Sequence, residues 1–454
     1  MSRVLLSALL VAASVAVPGA QTPAASKVTV PVEYHTLGNG LKVVLSRDPS
    51  SPTAVVAVYY NIGFRIEPKD RTGFAHLFEH MMFQGSERLG KNAFIGLVQS
   101  NGGILNGSTR FDFTNYYNII PAHTVETILW GEADRMRGLK ITQENLANQQ
   151  GVVKNEVKVG VLNQPYGGFP WLDLPQIANT NWYNAHNFYG DLAHLDAATL
   201  ADVEQFFTTY YAPNNAVLVV TGDIDVQQTL GWAKRYFESI PVAKVPAMPD
   251  ISEPRQEKEK RSSKVDALAS RPALALGYHH PPRNTPEYYA MGLIDQMLVQ
   301  GQDSRLYQAI VQRRGLAGSV EGGANPALGS MFDVKGPMLW TLYLIHDNDK
   351  PADTIIHVID EEVARLQNTA VTKAELELAL VKRRSALYAE QEQYVRFGRA
   401  NLLASYALFD NDPGKINTLD DEFRKVTPAL IQKTAREYLR AGNRTVLTIT
   451  PKSK

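Results

Sequence analysis

The hydrophobic positions of the chain follow two different periods, one typical of strands and one typical of helices. Runs rich in β-branched and aromatic residues, bounded by Gly or Pro, predict strands at 41–45, 53–60, 111–117 and 216–221. Apolar residues spaced three or four positions apart predict helices at 74–83, 92–99 and 125–137. Strands and helices in this mixture predict an α+β fold.

A stretch with little apolar periodicity separates two such regions. Residues 241–264 hold four prolines followed by a run of mixed charges, which predicts a linker. We therefore expect one αβ domain at 30–240 and a second at 265–454.

The two domains resemble each other in sequence. Residues 76–85 (HLFEHMMFQG) and 292–301 (GLIDQMLVQG) are identical at four of ten positions. Chance similarity between two amphipathic helices is the alternative, but the matching context favours an internal duplication. The prediction is two similar domains, each a mostly antiparallel sheet with helices packed on it. Because Gly292 and Gln296 stand where the first copy has histidines, any chemistry of these imidazoles belongs to the first domain alone.

Charge and cysteine content exclude several classes of function. Lys plus Arg and Asp plus Glu number 46 each, so no global positive field attracts nucleic acid, and we expect no nucleic-acid partner. The chain has no Cys, which excludes disulfides, thiolate metal sites and a cysteine nucleophile. Any bound metal must be held by His, Asp or Glu.

The first twenty residues have the pattern of a signal peptide. Arg3 precedes an apolar stretch at 4–17, and the small residues Gly19 and Ala20 follow. This stretch is shorter than the about 20 residues of a membrane-spanning helix, although an uncleaved anchor is the alternative. We expect a signal peptide at 1–20, an exported, periplasmic protein, and no membrane span once the signal is removed.

The candidate chemistry is concentrated in the motif H-x-x-E-H, formed by His76, Glu79 and His80. On a helix, residues four positions apart lie on one face, so both imidazoles can reach one ion. A catalytic zinc site has three protein ligands and one open position, and Glu79 on the same face is placed to act as a general base. The alternative is a pair of histidines on an ordinary amphipathic helix, and two histidines need a third ligand from elsewhere.

H-x-x-E-H is the inverzincin signature, and its surroundings resemble the pitrilysin/insulinase peptidases, which include the mitochondrial processing peptidases. The resemblance extends over nearly the whole chain from about residue 33. Four stretches carry it, namely 63–85, which contains the motif, 102–117, 151–156 and 211–225.

The resemblance implies that Glu156, 76 residues after His80, is the third metal ligand. Val152 and Val153 suit a helix whose core face supports it, although Glu156 could instead be one more solvated carboxylate. The implied cofactor is one Zn²⁺ per chain. Many relatives have an acidic residue seven positions before this ligand, and here Gln149 takes that place, so the local charge differs.

The resemblance also implies how substrate binds. The stretch 102–109 resembles an edge strand that pairs with an extended peptide, with Asn106 bonding the substrate and Gly107 allowing close approach; a plain turn is the alternative. Complete members carry an Arg and a Tyr in another domain that hold substrate near the zinc. Arg313 matches that Arg, or is only a solvated charge, and Gly318 stands where Tyr would be.

These features predict a zinc metallopeptidase that hydrolyses extended peptides by Glu79-assisted attack of a metal-bound water. The family's architecture implies a dimer, because four such domains surround its chamber. The missing Tyr suggests a hetero-dimer with a zinc-lacking homologue that supplies Arg and Tyr. The alternative is a non-hydrolytic peptide-binding or assembly subunit that keeps the fold.

Overall fold

The computed structural model describes residues 29–452, so the predicted signal peptide at 1–20 lies outside the described residues. Eleven strands within this range form two sheets. They are β1 (Glu33–Thr36), β2 (Lys42–Arg47), β3 (Thr53–Tyr60), β4 (Ile104–Thr109), β5 (Thr114–Pro121), β6 (Ala216–Gly222), β7 (Lys260–Asp266), β8 (Ala273–His279), β9 (Glu321–Ala324), β10 (Leu339–Ile345) and β11 (Arg444–Pro451).

Helices cover the sheets and connect their strands. In the first half they are α1 (Phe74–Met81), α2 (Ala93–Ser100), α3 (Val125–Arg137), α4 (Gln143–Val157), α5 (Asp173–Ala178), α6 (Trp182–Ala185), α7 (Leu192–Ala197), α8 (Leu200–Tyr210) and α9 (Val226–Phe237). In the second half they are α10 (Pro286–Leu298), α11 (Ala352–Asn368), α12 (Lys373–Phe409), α13 (Leu419–Arg424) and α14 (Pro428–Tyr438).

The two sheets share one topology. The first has the order β1-β2-β6-β3-β5-β4, and the second has the order β7-β11-β8-β10-β9. In each sheet one pair is parallel, β2 with β6 and β7 with β11, while the other pairs are antiparallel. Without β1, the strands of the first sheet correspond one by one to those of the second, and α1 corresponds to α10. This confirms the predicted α+β fold of two similar domains.

The domains are joined by more than the chain between them. Helix α12, from the second half, packs on β6, β3 and β2 of the first sheet, and Phe397 stacks on Tyr117 of β5 with ring centroids 3.8 Å apart. In the opposite direction, α5 packs on β8 and β11 of the second sheet. Each sheet is therefore partly covered by helices from the other half.

The observed elements differ from the predicted ones by more than two residues in two places. The strand expected at 111–117 is β5, which starts at Thr114, because residues 110–113 form the hairpin turn that follows β4. The strand β7 begins at Lys260, so it includes the last residues of the expected 241–264 linker. Within residues 29–452, no helix is both long and apolar enough to span a bilayer.

Candidate metal centre

Helix α1 presents the H-x-x-E-H motif from a buried position. Phe74, Leu77 and Phe78 anchor it in the core of the first domain, and His76 and Glu79 line a cavity on the other side. Gly73 precedes the helix with φ of 85°, and a Cβ there would lie 2.6 Å from the carbonyl oxygen of Tyr189. Only glycine fits this left-handed, crowded position without strain.

A buried carboxylate holds the beginning of α1 in place. Glu67 accepts hydrogen bonds from the backbone N–H groups of Gly73 and Ala75, which are otherwise unpaired at a helix N-terminus. Burial raises the pKa of Glu67, although His186 and these N–H groups oppose the rise. Sequence reasoning gave this residue no role, although it lies within the stretch 63–85 that resembles the family.

Glu156, near the end of α4, meets both histidines of α1. The Nε2 atom of His76 lies 3.5 Å from Oε1 of Glu156, and Nε2 of His80 lies 3.3 Å from Oε2. One donor atom from each of the three residues lies within 4.8 Å of the others. Among residues 29–452 this is the one group of three or more such side chains close enough to share an ion.

The donor set and spacing fit a zinc ion. Two tetrahedral ligands at about 2.0–2.1 Å from zinc are about 3.3–3.4 Å apart, close to the observed nitrogen–oxygen separations. Burial lowers the pKa of His76 to about 4, so its imidazole is neutral and free to coordinate. The hydrogen bond with His80 lowers the pKa of Glu156, which keeps that side chain a carboxylate. Burial alone would lower the pKa of His80, but the negative charges of Glu156 and Glu79 raise it overall.

Glu79 faces the same cavity beside this group. Burial raises the pKa of its carboxyl, and the opposing influences are the Thr109 hydroxyl and the positive charges of His80 and Arg110. The hydroxyl of Thr109 donates a hydrogen bond of 2.8 Å to Glu79 Oε2. A carboxylate with a raised pKa close to a metal centre is suited to accept and return a proton.

Further residues complete the surroundings, and among them the sequence had singled out only Gln149. The Tyr189 hydroxyl donates a 3.4 Å hydrogen bond to Glu156 Oε1, and the Phe188 ring lies 5.2 Å from that of His76. Gln149, which is buried about two helical turns before Glu156, hydrogen-bonds His80 and so helps to raise its pKa. Ala327 and Leu328 of the second domain also line the cavity, so the site lies in the cleft between the two domains.

The predicted substrate-binding residues are divided between two places. Asn106 and Gly107 lie on β4, which is the edge strand of the first sheet. Gly107 faces Glu79: a Cβ there would lie 3.1 Å from Glu79 Cγ. Asn106 is exposed, and its side-chain Oδ1 accepts a hydrogen bond from the backbone N–H of Gly107. Arg313 lies elsewhere, in the second domain, where it donates to Glu362 at 3.0 Å and does not line the cavity.

The corresponding helix of the second domain lacks this chemistry. At Gly292, Phe423 and Met331 occupy the space that a side chain would need, because both lie within 3.2 Å of the position of an added Cβ. Asp295, at the position of Glu79, accepts a 2.8 Å hydrogen bond from the Trp340 indole. Gln296, at the position of His80, is buried.

Two family models match the chain. The one described as insulinase, peptidase family M16, matches residues 42–165, and the one described as peptidase M16 inactive domain matches residues 197–381. The zinc protease PqqE of Helicobacter pylori is 24% identical over 92% of this chain and 93% of its own length.

Solved structures show the same fold. A protease from Helicobacter pylori has a TM-score of 0.85 and 24% identity, with 93% of this chain and all of that chain covered. The periplasmic protease PqqL from Escherichia coli has a TM-score of 0.74 and 18% identity. There 92% of this chain matches 47% of that chain, so the chain corresponds to about half of it.

Proposed function

The chain belongs to the insulinase family of peptidases, family M16, and on this basis we propose that it is a zinc-dependent metallopeptidase acting on extended peptides. The observation that carries the proposal is the convergence of His76, His80 and Glu156, with donor atoms within 4.8 Å of one another, beside the general base candidate Glu79. The names of its relatives, which include zinc proteases, support zinc as the metal.

In the proposed mechanism His76, His80 and Glu156 would hold one Zn²⁺. When bound, zinc lowers the pKa of a coordinated water to about 7 and polarises a peptide carbonyl. Glu79 accepts a proton from the attacking water and passes it to the leaving amine. Thr109 orients the Glu79 carboxylate through its hydrogen bond to Oε2. Tyr189 and Gln149 similarly hold Glu156 and His80 in place.

Strand β4 is the proposed binding surface for the peptide backbone. Its outer edge has no neighbouring strand among residues 29–452, and an extended peptide can add to such an edge by main-chain hydrogen bonds. Glu79 contacts the same strand through Thr109, so a peptide paired with β4 passes beside the metal centre. Gly107 keeps the space between the strand and Glu79 open.

Zinc content and turnover together test this function. His80→Ala should abolish stoichiometric zinc binding, whereas Glu79→Gln should keep the zinc and lower peptide hydrolysis by about 10²–10⁴-fold. Glu144→Gln, at an exposed position near the start of α4, is the matched control and should keep both. A Glu79→Gln variant with full activity, or a wild-type protein that binds no zinc, would contradict the proposal.

The competing function is a non-hydrolytic peptide-binding or assembly subunit. It is favoured by the match of residues 197–381 to a model described as an inactive domain, and by Gly318 at the position where a Tyr was expected. The two functions differ in one measurement. If the chain is such a subunit, the wild-type protein binds peptides with the same affinity as the Glu79→Gln variant and cleaves none of them at any zinc loading.

We also propose that the active form is a dimer, formed either with a second copy or with a zinc-lacking homologue that supplies the Arg and Tyr. The chain matches about half of PqqL, and Arg313 points to Glu362 rather than lining the cavity. Exposed apolar residues next to Glu156, namely Val152, Val159 and Leu162, offer a surface for a partner to cover. Activity that appears only on mixing with a co-purified homologue supports the hetero-dimer, and full activity of a purified homodimer contradicts it.

The proposed location is the periplasm. The pattern of residues 1–20 and the periplasmic neighbour PqqL support this location. N-terminal sequencing of the mature protein from a periplasmic extract should show that these residues have been removed.

A further inference from the structure

Arg110 is a charged residue of the cavity that the proposed mechanism does not use. It follows β4 directly and lines the cavity together with His76, Glu79 and Glu156. Its backbone is fixed on both sides, because its N–H donates to the Phe113 carbonyl at 2.8 Å and its carbonyl accepts from Phe64 N–H at 3.1 Å. The guanidinium therefore extends from a rigid turn into the space where a peptide on β4 would lie.

The guanidinium of Arg110 has no partner of its own within the described part of the chain. It makes no hydrogen bond, no ion pair within 4 Å and no stacking contact with an aromatic ring, although it is partly buried. Arg65, which lies five residues after the end of β3, shows the usual arrangement: its guanidinium is buried and bonds Asp112, Asn184 and the Pro337 carbonyl. Partly buried guanidinium groups normally pair with carboxylates in this way.

The two carboxylates of the cavity are already engaged elsewhere. Glu79 accepts from Thr109, and Glu156 contacts both histidines. Neither forms an ion pair with Arg110, so the positive charge is available to a ligand. The carboxylates of Glu79 and Glu156 repel an anion, so a negative group should bind on the side of the cavity where Arg110 lies.

We infer that Arg110 binds a carboxylate of the peptide substrate, either the side chain of an acidic residue near the scissile bond or a free C-terminal carboxylate. A guanidinium can hold a carboxylate through two parallel hydrogen bonds, which gives both affinity and orientation. This inference rests on the proposed peptidase function and adds a preference for anionic substrates to it.

Peptide binding to the zinc-loaded Glu79→Gln protein tests the inference without requiring turnover. Pairs of fluorescent peptides differ only by Asp or Asn at one position, moved along the sequence, and a second set differs only by a C-terminal acid or amide. At one position, or at the C-terminus, the carboxylate form should bind about tenfold more tightly, the size expected of a charge-assisted bond. The arm in which the difference occurs identifies the source of the carboxylate.

Variants of Arg110 in the same Glu79→Gln background give the decisive comparison. Arg110→Gln should reduce the ratio of affinities for the carboxylate and neutral peptides to about one, while the Asn and amide peptides bind as before. Arg110→Lys should keep part of this preference. Arg235→Gln removes an exposed arginine of α9 and should leave the ratio unchanged. Zinc content and the unfolding midpoint check that each variant is folded.

Two results would overturn the inference: no carboxylate preference in any arm, or a preference that Arg110→Gln leaves intact. Failure of the peptidase function itself is seen separately, as absence of cleavage by the zinc-loaded wild-type protein. Because affinity is measured on a variant that does not turn over, the two failures are distinguishable.

Discussion

Thr109 and Glu79 are joined by a hydrogen bond of 2.8 Å between the threonine hydroxyl and a carboxylate oxygen. Thr109 is the last residue of the edge strand β4, and Glu79 is the candidate general base on α1. The strand that would bind the peptide backbone thus also holds the group that would move the proton. Catalysis requires the bound peptide backbone and the general base to be held at a fixed distance from each other.

Replacing Thr109 by Val should alter the pH dependence of hydrolysis. The hydroxyl stabilises the charged form of Glu79, and its loss raises a carboxyl pKa that burial has already raised. Because the base acts in its ionised form, the acidic limb of kcat/KM against pH should move to higher pH. Thr109→Ser keeps the hydroxyl and is the control. An acidic limb that is the same in the Val variant and the wild type would contradict this role.

Replacing Gly107 by Val should impair turnover more than zinc binding. A Cβ at this position would lie 3.1 Å from Glu79 Cγ and 3.3 Å from Tyr116 Cδ1, so a branched side chain must displace Glu79. We expect kcat to fall by about 10²-fold or more, as for a misplaced general base, with the zinc content unchanged. Gly107→Ala adds a single methyl group and should cost far less. Loss of zinc from the Val variant would instead indicate a wider distortion.

The candidate site shows which contacts a sequence can predict. The spacing of His76 and His80 is local, so helix geometry alone places both imidazoles on one face. Glu156 came from the family resemblance, since no local rule connects residues 76 positions apart. The Thr109 hydroxyl and the unpaired Arg110 were missed because their roles depend on how β4 lies against α1. Of the two valines expected to support Glu156, Val153 is buried and Val152 is exposed, because adjacent helical residues point in different directions.

The fold shows a similar division between local and distant information. The helix predicted at 125–137 and the strand predicted at 53–60 have the bounds of α3 and β3, since each has a clear period over its full length. The aromatic residues Phe111 and Phe113 suggested a strand, but they belong to a turn whose rings pack in the core. The packing of α12 on the first sheet could not be predicted, because the sequence of a helix does not specify which of two sheets it covers.

Asp295, the second-domain counterpart of Glu79, should make stability depend on pH. Burial raises its pKa to about 6 from an ordinary value of 3.8. The folded state therefore binds a proton more tightly than the unfolded state, so this contribution to stability is fully present below about pH 4 and is lost as pH rises through about 6. Asp295→Asn keeps an acceptor for Trp340 and should remove this loss.

Urea unfolding at pH 5 and pH 7.5 measures the effect of Asp295→Asn. Relative to the wild type, the variant should gain stability between these two values, by on the order of 1–2 kcal/mol. Asp70→Asn, at an exposed position, should show no such difference. A difference in unfolding free energy between Asp295→Asn and the wild type that is the same at both pH values would contradict the raised pKa.

The buried pair of Arg65 and Asp112 should be required to hold the two domains together at the cleft. Arg65 Nε donates to Asp112 Oδ1 at 2.7 Å, and Asp112 Oδ2 accepts from the backbone N–H groups of Lys335 and Gly336 in the second domain. Asp112→Ala leaves the Arg65 charge buried without its partner, and a loss of about 3–5 kcal/mol in unfolding free energy is expected. The double variant Arg65→Met, Asp112→Ala should lose less than the sum of the two single variants, because neither charge is then left unpaired. Strictly additive losses in urea unfolding would show that the two residues act independently and would contradict the pairing.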